Sequence, residues 1–214
     1  METRTLKISR TITKDEIPIL DDYKKVIDIV GKNIAYTDLF ENEKSNTNFI
    51  LFYIIQASYG FIRSIFNLWI DQGYHSSYIL ARALVEYYIN LGFILKKNSE
   101  KRATEFINAY TKGIIPFKNS KFKYISNRAK NAGLFEHYKK DYISLCSFTH
   151  VNLKGSLIAR RSEKFKKDKK IFLRNMLLIF VEMFELISKK TNITYPRDME
   201  QLLIKIQCDY TDNP

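Results

Sequence analysis

Three sets of polar side chains recur at helical spacing inside apolar sequence, and they are the residues best placed to do chemistry. Tyr138, Tyr142, Cys146 and His150 follow at successive fours, with Ser147 and Thr149 near the end of the line. Arg82, Glu86 and Asn90 keep the same interval, and Gln56, Arg63, Asn67 and Asp71 lie on or near a third stripe. Such spacing stacks side chains on one face of a helix. His150 supplies a group that exchanges protons near neutral pH, while Arg82 or Arg63 can steady a phosphate. If the three helices pack side by side, Arg63, Asn67, Arg82, Glu86, Tyr142 and His150 converge on a site for metal-free phosphate chemistry. The same lines also read as an internal polar network that fixes helix register, because buried Arg and Glu must be paired.

Other chemistries fit poorly. Seven glycines are too few for a phosphate-binding loop or a dinucleotide fingerprint, and neither pattern occurs. Cys146 and His150 have a spacing that can share zinc, but His75 and His137 are the other imidazoles and Cys208 is remote. Asp141, Cys146, Ser147 and His150 fall on one helix without a nucleophile elbow. A metal-dependent nuclease wants clustered carboxylates, and Glu86 stands nearly alone among the core acids. No Arg precedes any histidine by the one and a half helical turns used by small helical toxin ribonucleases. No metal or other cofactor is expected.

The formal net charge of +12 is concentrated in two places. Residues 111–131 carry Lys112, Lys118, Lys121, Lys123, Arg128 and Lys130 with no acid. Residues 154–174 carry nine bases, Arg160 and Arg161 among them, against Glu163 and Asp168. These segments flank the stretch that ends in His150. Clustered Lys and Arg suit a polyanion, since binding phosphates releases counterions. Phe117, Phe122 and Tyr124 interleave with lysines, a pattern suited to single-stranded nucleic acid. Two solvated lysine-rich loops would give the same composition.

The elements that must position these residues are helices. Few glycines and prolines and long Leu/Ile/Lys/Glu/Phe-rich runs predict an all-α fold, a single bundle of about six to seven helices over 15–214 behind an N-terminal arm, 1–14. Helices are predicted from Asp15 towards Glu43, with Gly31 bending or breaking the run, and over Phe49–Asp71, with Ser45-Asn46-Thr47-Asn48 as a capping turn. Others follow over Ser76–Lys97, from Glu100 to an interruption at Gly113 and Pro116, over Leu134–Leu153, Asp168–Lys190, and Pro196–Cys208. Basic loops are placed at 111–131, with a short helix near Gly133, and at 154–170. Phe49–Ile70 is long and apolar, but Gln56, Arg63 and Asn67 interrupt it, and no second stretch is expected to accompany it. The chain thus reads as having no transmembrane segment. Two cysteines and no secretory leader predict a cytoplasmic protein.

Two motifs resemble a widespread bacterial family of helical domains of unknown function. Tyr78-Ile-Leu-Ala-Arg82-Ala-Leu84-Val-Glu86 is similar to its Arg-x-Leu-x-Glu helix, and Tyr142-Ile-Ser-Leu145-Cys146-Ser147-Phe-Thr-His150 to its Tyr-x-x-Leu-Ser/Cys-Ser-x-x-His helix. The resemblance covers roughly 53–187. It implies a helical bundle with Arg82, Glu86, Tyr142 and His150 as signature positions, and a defence or abortive-infection role, since members are often found beside phage-defence genes. Val151-Asn152 follows the histidine where the family often has Pro or a small residue.

The leading expectation is a defence-type effector that binds RNA or nucleotide phosphate and cleaves RNA without metal. In it His150, Arg82, Glu86 and Tyr142 are catalytic, and Arg63, Asn67, Lys121, Lys123, Arg160 and Arg161 bind substrate. The alternative is a non-enzymatic interaction module whose basic surface meets an acidic protein or nucleic acid, with a homo-oligomer as one form. A membrane-surface protein using residues 154–174 against anionic lipid is a third reading.

Overall fold

The computed structural model describes residues 17–35, 45–71, 74–149, 163–191 and 196–209. The N-terminal arm, His150, Arg160 and Arg161 lie outside these residues, and positions 163–170 are described in backbone only. Among the described residues there is no strand, and eight helices form an all-α bundle. They are α1 (Ile17–Ala35), α2 (Asn46–Ile70), α3 (Tyr74–Lys96), α4 (Ser99–Thr111), α5 (Ile125–Ala132), α6, α7 (Glu163–Ser188) and α8 (Arg197–Asp209). Helix α6 opens as Phe135–His137, passes through a π-helical turn at Tyr138–Tyr142, and continues as Ile143–Thr149.

Helix α1 buries Ile19, Tyr23, Val26 and Val30, one stripe at alternating intervals of four and three. The Tyr23 hydroxyl donates to the Leu173 carbonyl at 2.9 Å, tying α1 to α7. Asp22, fully buried, accepts from Lys205 Nζ at 2.8 Å and so ties α1 to α8. Gly31 does not break the helix. The chain runs helical through it, and a Cβ there would collide with the Tyr59 hydroxyl.

Helix α2 starts at Asn46, three residues before the apolar pattern suggests. Ser45 is its N-cap, its Oγ accepting from Asn48 N at 3.4 Å. The remaining orphan donors are satisfied from another helix. The Glu100 carboxylate, in the first turn of α4, accepts from Asn46 N at 2.8 Å and Thr47 N at 3.0 Å. It also accepts from the hydroxyls of Ser45 and Thr47. A polar cluster that reads as a turn thus becomes helix, because a carboxylate distant in sequence completes its cap.

Helix α3 is the hub, packed most extensively on α2 and also against α4, α5, α6 and α7. Its buried residues include Ala81, Leu84, Val85, Tyr88, Ile89, Leu91, Phe93 and Ile94, which cover most of its circumference. Trp69 of α2 is fully buried, stacked on Phe172 at 5.2 Å and edge-on to Tyr74. Helix α7 begins at Glu163, so the predicted basic loop gives way to helix before Asp168. The expectation of no second long apolar stretch is also corrected. By length and composition Asn46–Ile70 and Ser76–Lys96 are both able to cross a bilayer, with mean hydropathy 1.5 and 1.3.

Candidate functional site

Arg82 and Glu86 lie one turn apart on α3, and the neighbouring α5 and α6 bring partners to both. Arg82 Nη2 donates to the Tyr142 hydroxyl at 3.2 Å, and the guanidinium lies 5.3 Å from the Tyr142 ring centre. Arg128 of α5 places Nη2 3.9 Å from Glu86 Oε1. The other end of the same guanidinium donates to the carbonyls of Phe122 at 2.9 Å and Lys123 at 3.3 Å. Arg128 and Tyr142 are buried, and Arg82 and Glu86 are half-buried. One guanidinium thus faces the carboxylate and the other the phenol, so the cluster holds two cations against one acid.

The hydrogen bond to Tyr142 raises the Arg82 pKa above its ordinary value, and burial raises that of the Tyr142 phenol. Both groups keep their protons across the neutral range. They can hold and orient an anion, but neither can shuttle a proton at neutral pH. Burial lowers the Arg128 pKa, with Glu86 pulling the other way.

The π-helical turn shapes the neighbourhood. Across it Tyr138 and Tyr142 stack with centroids 5.6 Å apart and planes 20° from parallel, and Phe135 stacks on Tyr138 at 5.7 Å. The ring column ends on Arg82 at one side. At the other, Lys130 and Lys139 sit 4.8 Å and 4.7 Å from the Phe135 ring. Single π turns inside α-helices are frequent at functional sites because they re-aim side chains.

A titrating group lies on the same helix, and sequence reasoning missed its partner. His137 Nδ1 is 3.0 Å from Asp141 Oδ2, and the hydrogen bond to Asp141 raises the imidazole pKa above its ordinary value. The ring sits edge-on to Tyr88 at 5.3 Å, and the Tyr88 hydroxyl donates to Glu182 of α7 at 2.6 Å. A carboxylate fixing one imidazole nitrogen is the arrangement that orients a general base. The signal was the four-residue spacing of His137 and Asp141, obscured because Asp141 was weighed only with Cys146, Ser147 and His150.

Lys121 and Lys123 stand exposed on a 3₁₀ turn, Lys121–Lys123, that leads into α5. Lys123 Nζ lies 4.8 Å from the Tyr124 ring centre, and Tyr124 is 57% exposed. The other two interleaved rings are not available to stack on bases. Phe117 is buried, and Phe122 packs on Phe93 at 4.7 Å. Arg63 and Asn67 are exposed on α2, where Arg63 lies over the Tyr59 ring at 5.6 Å. Helix α2 packs on α1, α3, α4 and α7 rather than extensively on α6, so these two residues do not join the cluster. What converges is Arg82, Glu86 and Tyr142, with Arg128 as an unforeseen fourth member.

Compared with known proteins, the chain matches no family model, no curated protein and no solved structure. Three of the four positions singled out by the motif resemblance, Arg82, Glu86 and Tyr142, are drawn together in the fold. The fourth, His150, lies outside the described residues.

Proposed function

We propose that this protein is a cytoplasmic, defence-type effector that binds single-stranded RNA on the face built from the 3₁₀ turn, α5 and the start of α6. The observation that carries the reading is the surface itself. Lys121, Lys123, Lys130 and Lys139 alternate with the Phe122, Tyr124 and Phe135 rings, each cation within 4.7–5.5 Å of a ring centre. Cations gather the phosphates and an open ring, Tyr124, accepts a base. The two apolar helices α2 and α3 serve in this reading as core, the role their packing in the bundle supports. The defence role rests on the motif resemblance alone.

Cleavage without metal is the sharper form of the proposal. Arg82, ordered by Tyr142, steadies phosphate, and a histidine moves the proton. His150 is the motif histidine, and His137 is the one with an orienting carboxylate. One observation favours the alternative of a non-catalytic interaction module. Arg128 and Glu86 help fix the basic turn onto α3, which is structural work. The test is to incubate wild type, His150→Ala and His137→Ala with labelled single-stranded RNA in EDTA, reading cleavage and binding on gels. Wild-type cleavage lost in one histidine variant, with binding retained, assigns that histidine to the reaction. RNA binding with no product leaves the interaction module in its nucleic-acid form, and no binding at all sinks the RNA reading.

A further inference from the structure

Apart from the RNA face, a groove of about 470 Å³ runs between α4 and the loop that follows it. Lys101 on α4, Lys112 at its C-cap and Lys118 on the loop line it, with Ile114 and Ile115 on its loop side. The three lysines are exposed, and no carboxylate pairs with them among the described residues. Glu105 is the one acid in the lining. Ile114 and Ile115 are 48% and 62% exposed, a paired apolar display that the bundle does not use.

The loop is pinned at both ends. At the first, Gly113 takes φ +61° and Ile114 N donates to the Ala109 carbonyl at 2.9 Å, closing α4. At the second, Phe117 takes φ +60° and is buried against Phe93 at 5.0 Å, with Ser120 N and Oγ both donating to its carbonyl. A bulky residue in the left-handed region is an outlier, and such strain concentrates where a fold must present something. Here the strained anchor holds two isoleucines outward beside a cationic trough.

We infer that this groove is a docking site for an acidic, apolar-bearing peptide segment of another protein, its carboxylates on Lys101, Lys112 and Lys118 and its apolar side chains on Ile114 and Ile115. Charge complementarity sets the sign of the partner, and the isoleucines require apolar groups that a phosphate backbone does not offer. The concave shape fits a chain segment better than a flat bilayer.

A random peptide library displayed on phage, selected on wild type and counter-selected on the Ile115→Ser/Lys118→Glu variant, tests this. Both positions are exposed, and circular dichroism checks that the helices persist. The expected result is enrichment of peptides combining Asp or Glu with Leu, Ile or Phe. Labelled copies should lose roughly tenfold or more in affinity with Lys112→Glu or Ile114→Ser. Absence of enrichment, or peptides that bind the variants equally, overturns the proposal. So does loss of binding to phosphatidylserine vesicles or single-stranded RNA on the same substitutions when no peptide is selected, which reassigns the surface to lipid or nucleic acid.

Discussion

Arg128 is 4% exposed, and one end of its guanidinium spends its hydrogen bonds on two carbonyls of the turn it must hold down. Truncation leaves those carbonyls without their cationic donor and Glu86 without its ion pair. Arg128→Ala is therefore expected to cost about 2–4 kcal/mol in urea denaturation. Glu86→Gln should cost under about 1 kcal/mol, because that carboxylate is 39% exposed and the pair is screened. Equal losses in the two variants would mean that the ion pair, not the carbonyl bonds, holds the turn. His137 gives a second residue-scale expectation. Asp141 raises its folded pKa, so the stabilisation is fully present below about 6.5, the ordinary value, and is lost as pH rises through the folded value. The fall in melting temperature over that window should vanish in Asp141→Asn. A wild-type profile flat across it would show that the pair contributes nothing.

At the scale of elements, α2 begins where it does because α4 caps it. The Glu100 carboxylate, accepting from Thr47, Asn46 and Ser45, is held at a pKa of about 2, against an ordinary 4.5. Its stabilisation is present above pH 4.5 and is lost as pH falls towards 2. Glu100→Gln should cost about 1–2 kcal/mol at neutral pH, the scale of a helix cap, and should blunt the acid sensitivity of unfolding. An unchanged acid limb would place the sensitivity in other carboxylates. Helix type was legible in the sequence because Ile19, Tyr23, Val26 and Val30, or Leu173, Leu177, Phe180 and Phe184, recur at helical spacing with few breakers between them. The number was legible only roughly, eight helices among the described residues against an expected six to seven. The start of α2 was not, since a cap supplied by Glu100 leaves no local trace. Gly31 misled because its reason, the Tyr59 hydroxyl, sits on another helix. The spacing puts Arg82 and Glu86 on one face and offers Tyr142 as one of several residues that could meet them, but it gives Arg128 only as surface charge. Nothing local in Ile125–Ala132 marks one base for burial; the carbonyls that demand it come from the preceding turn.

At the scale of the molecule, the charge of residues 111–131 is a surface rather than a total. Lys121, Lys123 and Lys130 are exposed, Lys123 against the exposed Tyr124 ring, while Lys139 is already opposed by Glu136 at 3.2 Å. Each free lysine that displaces a counterion from single-stranded RNA should contribute about 0.7 to the slope of log affinity against log salt. Replacing all three with Ala is then expected to flatten that slope by about 2 while leaving the melting temperature nearly unchanged. Tyr124→Ala should weaken binding by about 1–3 kcal/mol without altering the slope, because a stacked base carries no counterion. The pair of measurements separates two sources of affinity that composition alone merges. A slope that the triple variant leaves untouched would move the phosphate contacts elsewhere, for example to the basic groove beside α4, lined by the exposed Lys101, Lys112 and Lys118. A lost stacking term with an intact slope would instead leave the lysine face in place and show that Tyr124, the one ring of the three left open, reads the base.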